Sequence, residues 1–186
     1  MNFARTTTLL LLASLAWSAA IPVRGDDDDD DDHERGKKGS QRREQPANKA
    51  APAAPPAYKD ECAACHMAYP AGLLPAASWE KLMSGLPKHF GEDVEIAAAS
   101  RTAIQSHLTG NAADKSASER SRKIMKNVGG TTPERISEIP YIRAKHREIK
   151  DEVFKRKSVE TRGNCSACHS GADRGDFDDD RVRIPK

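Results

Sequence analysis

Cys62-Ala63-Ala64-Cys65-His66 and Cys165-Ser166-Ala167-Cys168-His169 together use every cysteine of the 186-residue chain. Four cysteines in an exported protein ordinarily pair as disulfides. Paired C-x-x-C also builds zinc ribbons, but there the pairs stand about 15–20 residues apart, whereas here roughly a hundred residues separate them. The histidine after each second cysteine completes C-x-x-C-H, the spacing of c-type haem attachment. Two thiols add to the two vinyl groups of one porphyrin, and the next residue is an imidazole placed to bind iron from one face. A pattern that occurs twice and consumes all the cysteines points to two covalent haem c groups. Cys62 and Cys65 hold one, Cys165 and Cys168 the other, with His66 and His169 as the first axial ligands.

The second axial position decides whether an iron exchanges electrons or binds substrate, and a methionine there raises the potential. Downstream of the N-terminal arm the remaining candidates are His89, His107, His146, Met67, Met83 and Met125. At about 100° per residue, Ile139, Ile142, His146, Ile149 and Val153 form one stripe of a helix predicted over 139–154, which turns His146 inward. His107 sits about 110° from the centre of the apolar face of a helix predicted over 92–108, on its margin. His89 precedes Phe90 and Gly91 at a loop-to-helix junction, where a ring reaches inward without competing with helix packing. His89 and His146 are therefore the candidate second iron ligands. Met83 and Met125 read as packing residues, and Met67 directly follows His66, so it cannot easily reach the opposite face of the same haem. His89 and His146 each lie 23 residues from the nearer motif histidine. Local pairing, His66 with His89 and His169 with His146, is the simpler arrangement; a crossed one stays open.

Outward from the motifs, residues 1–25 read as a cleaved secretory signal peptide: a basic start ending at Arg5, an apolar run from Leu9 to Ala20, then small residues. The run is short for a membrane span, and cleavage after Ala20 or after Gly25 both fit, with an uncleaved anchor as the alternative. Residues 26–57 read as a disordered arm: seven consecutive aspartates from Asp26 to Asp32, a mixed-charge run over 34–44 and an Ala/Pro-rich linker over 46–57, none able to bury apolar surface. Residues 58–186 form the expected folded unit, a mainly α, small helical c-type cytochrome domain with long loops wrapped around two haems. Its helices are predicted over 78–86 with Ser78 as cap, 92–108, 118–128 ending at Gly129-Gly130, and 139–154 with Pro140 in the first turn. Aromatics are only 5% of residues, a thin core that two porphyrins would fill.

Charge excludes some partners. Residues 58–186 carry 22 Lys and Arg against 19 Asp and Glu, a formal +3 without a clustered basic face, so no nucleic-acid footprint is present. No apolar stretch outside the leader approaches membrane length, which predicts a mature chain without an integral span in the periplasm. Arg143, Lys145, Arg147 and Lys150 read first as a solvated helix face and second as a dock for an acidic partner. The aspartates at 176, 178, 179 and 180 alternate as in a calcium loop, but lack its glycine and closing glutamate.

In order and spacing, E-C-A-A-C-H with Tyr69-Pro70, L-P-A-A-S-W over 74–79, H-F-G over 89–91, G-N-A-A-D, the segment from Pro140 to His146, N-C-S-A-C-H and the closing Ile184-Pro185 resemble the bacterial dihaem cytochrome c family. The resemblance covers nearly all of residues 58–186. It implies two low-spin bis-histidine haems, with His66 and His169 proximal and His89 and His146 distal. It also implies an electron carrier, not an enzyme, working with redox proteins such as a membrane b-type cytochrome or a small haem protein. His107 departs from it, standing where an aromatic such as tyrosine is expected. The competing functions are an electron-transfer subunit of a larger reductase complex and a dihaem peroxidase-like enzyme with one open iron.

Overall fold

A computed structural model describes residues 53–186. The expected leader and all but the last five residues of the expected arm lie outside the described residues. Six helices follow one another: α1 (Pro56–Cys62), α2 (Ala76–Ser84), α3 (Ala98–Gly110), α4 (Glu119–Val128), α5 (Pro140–Lys145) and α6 (Asp151–Phe154). Short 3-10 turns and long loops join them, and no strand occurs among the described residues. The mainly α fold matches the sequence expectation.

α3 packs against α1 and α2, and α4 against α5. Ile104 and Leu108 of α3, Ile124 and Val128 of α4, Trp79, Leu82 and Met83 of α2, and Tyr58 of α1 meet in one apolar core, which Leu73, Leu74 and Ile139 complete from the loops. Three polar side chains inside it are paired. The Trp79 indole donates to the Ala71 carbonyl at 2.8 Å, the Tyr58 hydroxyl to the Tyr69 carbonyl at 2.9 Å, and the Ser121 hydroxyl to the Gly72 carbonyl at 2.9 Å.

α4 follows its sequence signals closely. Ser118 accepts from the Ser121 amide, and Gly129 ends the helix with a left-handed φ of 57°, the conformation glycine adopts without steric cost. α2 departs from its own. It begins at Ala76 after Pro75, not at a Ser78 cap, and ends at Ser84. Proline's fixed φ starts the helix, and the missing cap comes from 38 residues away, where the Asp114 carboxylate accepts from the Ala76 amide at 2.8 Å. Ser78 is buried inside the helix and its hydroxyl has no partner among the described residues.

Two longer helices are shorter than their periodicity suggests. α3 starts at Ala98: the chain over 92–97 is not helical, and the Val94 amide is drawn back to the Leu86 carbonyl at 3.0 Å. The helix predicted over 139–154 is two pieces broken by a turn at residues 146–149. At the break the His146 ring, through Nδ1, takes the Ile142 carbonyl at 2.7 Å, and the His146 amide turns to Arg143 instead. A side chain that satisfies the carbonyl four residues back competes with the helical ladder, and Pro140 at the other end leaves α5 only six residues long.

Candidate haem sites

The first motif runs off the C-terminal end of α1: Cys62 is its last residue, and Ala63 to Cys65 form a turn that delivers His66. His89 is presented from a closed turn in which its amide donates to the Glu92 carbonyl at 2.8 Å and the Glu92 amide returns a bond to its carbonyl at 3.1 Å. The turn closes through a left-handed Phe90, φ 54°, followed by Gly91 at φ 108°. A non-glycine residue in that region costs on the order of 1–3 kcal/mol, a strain that gathers at functional sites. The ring centres of His66 and His89 end 6.1 Å apart.

The second motif occupies a 3-10 turn from Cys165 to Ala167, which delivers His169. His146 caps the C-terminal end of α5, so it points toward the motif because the helix ends there and not because it lies on an apolar stripe. The His146 and His169 ring centres are 6.2 Å apart. A metal–imidazole bond is about 2 Å, so two imidazoles on opposite sides of one metal have ring centres about 6 Å apart. Both gaps have the width of one iron, and the neighbouring histidines are those of local pairing and not of the crossed arrangement.

The environment of each ring suits a ligand. Nδ1 of His66 bonds the Met67 carbonyl and Nδ1 of His146 the Ile142 carbonyl, both at 2.7 Å, which leaves Nε2 free to bind and fixes the ring plane. Burial lowers the pKa of His89, helped by His66. Burial also lowers that of His169, with His146 and Arg120 acting in the same direction and Asp179 and Asp176 opposing. The neutral ring this favours is the form that metals bind. No disulfide joins the four cysteines, and burial raises the pKa of Cys62, Cys165 and Cys168.

One repeated arrangement had no clear sequence signal. Phe90 lies edge-on to His89 with Arg135 over its ring, Phe154 edge-on to His146 under Arg162, and Phe177 edge-on to His169 under Arg120. The three interplanar angles are 62°, 64° and 64°. Each phenylalanine packs against an imidazole while a guanidinium lies over its ring, a contact worth about 0.5–1 kcal/mol at exposed sites. His66 has Tyr69 instead, stacked at 5.1 Å. The partners lie up to 57 residues apart (Arg120 and Phe177), which is why local reading does not find them.

The other candidates lie elsewhere. His107 packs near Tyr58, ring centres 6.0 Å apart, and its carbonyl accepts from the Asn111 side chain. Met83 is buried in the core and Met125 packs against it. The acidic segment near the C-terminus is tied down by arginine: Arg181 pairs with Asp176 and Asp178, and no grouping suited to a bare metal ion occurs among the described residues.

The model of the dihaem cytochrome c family matches residues 58–177. The chain belongs to the dihaem cytochrome c family. This dihaem cytochrome is also similar to three solved structures. Two are from Rhodobacter sphaeroides. A diheme cytochrome c shares 48% identity over 66% of this chain and 96% of the other at a TM-score of 0.59, and a purified DHC shares 45% over 67% and 98% at 0.54. The third, a diheme cytochrome type c from Shewanella baltica OS155, shares 32% identity over 70% and 92% at a TM-score of 0.56. Comparison with curated proteins gives no match. The family implies two c-type haems and electron transfer, and the four thiols and two facing histidine pairs offer two places that fit them.

Proposed function

We propose that this dihaem cytochrome is a periplasmic electron carrier whose two irons are each held by two histidines, His66 with His89 and His169 with His146. The thioether anchors are Cys62 with Cys65 and Cys165 with Cys168. Each bound haem supplies a one-electron ferric/ferrous couple. The chain does the rest: it would hold each group between two imidazoles, it orients His66 and His146 through carbonyl bonds, and it packs phenylalanine against His89, His146 and His169. Closed axial positions leave no place for peroxide or another substrate, so the protein passes electrons and performs no reaction of its own. Ligation by two imidazoles gives lower potentials than histidine with methionine. Export rests on the leader-like residues 1–25 and on the chemistry of haem attachment; no described helix is long and apolar enough to cross a membrane. Redox proteins are the partners, a membrane b-type cytochrome or a small haem protein, in the small transient contacts usual for electron exchange.

The observation that carries this reading is the pair of ring separations, 6.1 and 6.2 Å. Low-temperature electron paramagnetic resonance tests it. The oxidised protein should show two low-spin ferric signals, and His89→Ala and His146→Ala should each convert one of them to high spin. A high-spin signal in the unaltered protein, or rapid reaction with peroxide, would favour an enzyme with an open iron. Pyridine haemochrome counting should give two haems per chain, and cell fractionation should find them in the periplasm.

A further inference from the structure

Two contacts join the haem-binding loops across almost a hundred residues. Met67 directly follows His66, and its sulfur accepts from the Ser166 hydroxyl at 3.3 Å; Ser166 lies between the two cysteines of the second motif. Tyr69 stacks on the His66 ring at 5.1 Å, 29° from parallel, and its hydroxyl donates to the Gly163 carbonyl at 2.7 Å. That carbonyl also accepts from the Cys165 amide at 2.9 Å. A continuous path results: the His66 imidazole, the Tyr69 ring and hydroxyl, the Gly163 carbonyl, then Cys165, an attachment residue of the other site.

The local chain is arranged to keep this path closed. A Cβ on Gly163 would lie 3.2 Å from the Tyr69 oxygen, so glycine gives the hydroxyl room to approach. The Tyr58 hydroxyl, buried in the core, holds the Tyr69 backbone through its carbonyl. None of this is needed to bind either haem alone.

We propose that Tyr69, with the Met67–Ser166 contact beside it, is the bridge through which the two haem sites exchange electrons. The proposal rests on the ligand assignment above. Tunnelling falls steeply with distance and is fastest through bonded or closely packed atoms, and this is the place where residues adjoining one site bond directly to residues of the other. With both haems bound, the exchange would move a single electron from one site to the other, with no bond made or broken and no proton required, and the chain's own part is to hold the connecting atoms in contact. Tyr69 is a positioning residue: it acts through His66 and Cys165 and does not touch iron.

The experiment uses the full chain with both haems. Tyr69→Phe keeps the ring on His66 but removes the bond to Gly163, Ser166→Ala removes the contact to Met67, and Met67→Leu keeps volume while removing the sulfur. Intramolecular exchange is followed after a reducing flash, and magnetic coupling between the oxidised irons by electron paramagnetic resonance. Exchange should slow several-fold in Tyr69→Phe and further in the double variant Y69F/S166A, with coupling reduced and both irons still low-spin. If the double variant exchanges electrons and couples as the unaltered protein does, the bridge is wrong while the ligand assignment stands, even if its thermal stability has fallen. If the unaltered protein shows a high-spin iron at the first site, the assignment of His66 and His89 fails and takes the bridge with it.

Discussion

The two haem-binding regions differ in what holds them up. Residues 56–139 contain fifteen buried residues of one continuous apolar core, including the fully enclosed Ile104 and Ile124. Each such aliphatic side chain contributes about 1.5–3 kcal/mol by leaving water. Residues 140–186 add only Val159 and Ala172 to the buried apolar set. They rely on tight turns, two short helices, and surface ion pairs such as Lys145 with Asp179 and Arg162 with Asp151, which are individually worth about 0–1 kcal/mol. A haem held at the first motif would therefore have a protein core beside it, whereas one held at the second would have to supply much of the core of its own region. Two copies of the same attachment motif thus place different demands on the fold.

The largest expected effect removes one cofactor at a time. The double variant Cys165→Ala/Cys168→Ala should lose hydrogen-exchange protection across 140–186 while 58–139 stays protected; Cys62→Ala/Cys65→Ala should leave α2, α3 and α4 protected. Equal loss in both regions would break the contrast. Next, Ile124→Ala, at a site with 0% exposure, should cost about 2–5 kcal/mol in denaturant unfolding. Val159→Ala should cost less, having fewer apolar neighbours to strand. Ser118→Ala, which removes the cap of α4, should cost about 1 kcal/mol. Arg162→Met should cost no more than about 1 kcal/mol while altering the low-spin signal of the second haem, because Phe154 loses its cover.

The smallest effect concerns pH. Burial lowers the pKa of His107, so the unfolded chain takes up its proton at a higher pH than the folded one. Its contribution is therefore undiminished above the ordinary histidine range and is lost as pH falls from about 6.5 toward the depressed folded value. Urea titrations at about pH 7 and pH 5 should show a slightly smaller acid loss in His107→Tyr than in the unaltered protein.

The cysteine motifs, the cap and stop of α4, and Pro140 at the start of α5 were legible in the sequence because each is a local signal. The break after Lys145 was not, since the apolar spacing of Ile142, Ile149 and Val153 suits an unbroken helix. Only the His146 ring bond to Ile142 shows why it stops. Asp114 as the cap of α2 was invisible for another reason: the carboxylate arrives from a distant loop, and Ser78 offered a plausible nearby substitute. The arginine-covered phenylalanines and the Tyr69 bridge are likewise long-range and carry no spacing that a one-dimensional pattern displays.

The brevity of α5 has a cellular consequence. Six residues are too few to remain helical in isolation, so α5 and the His146 at its end depend on the packing against α4 and on whatever grips the other ring nitrogen. A chain loaded at the first motif alone would keep a stable body and trail residues 140–186 as an open substrate for housekeeping proteases, whose cutting follows the population of open chain. Half-finished molecules would thus be marked for removal by their own unfinished end.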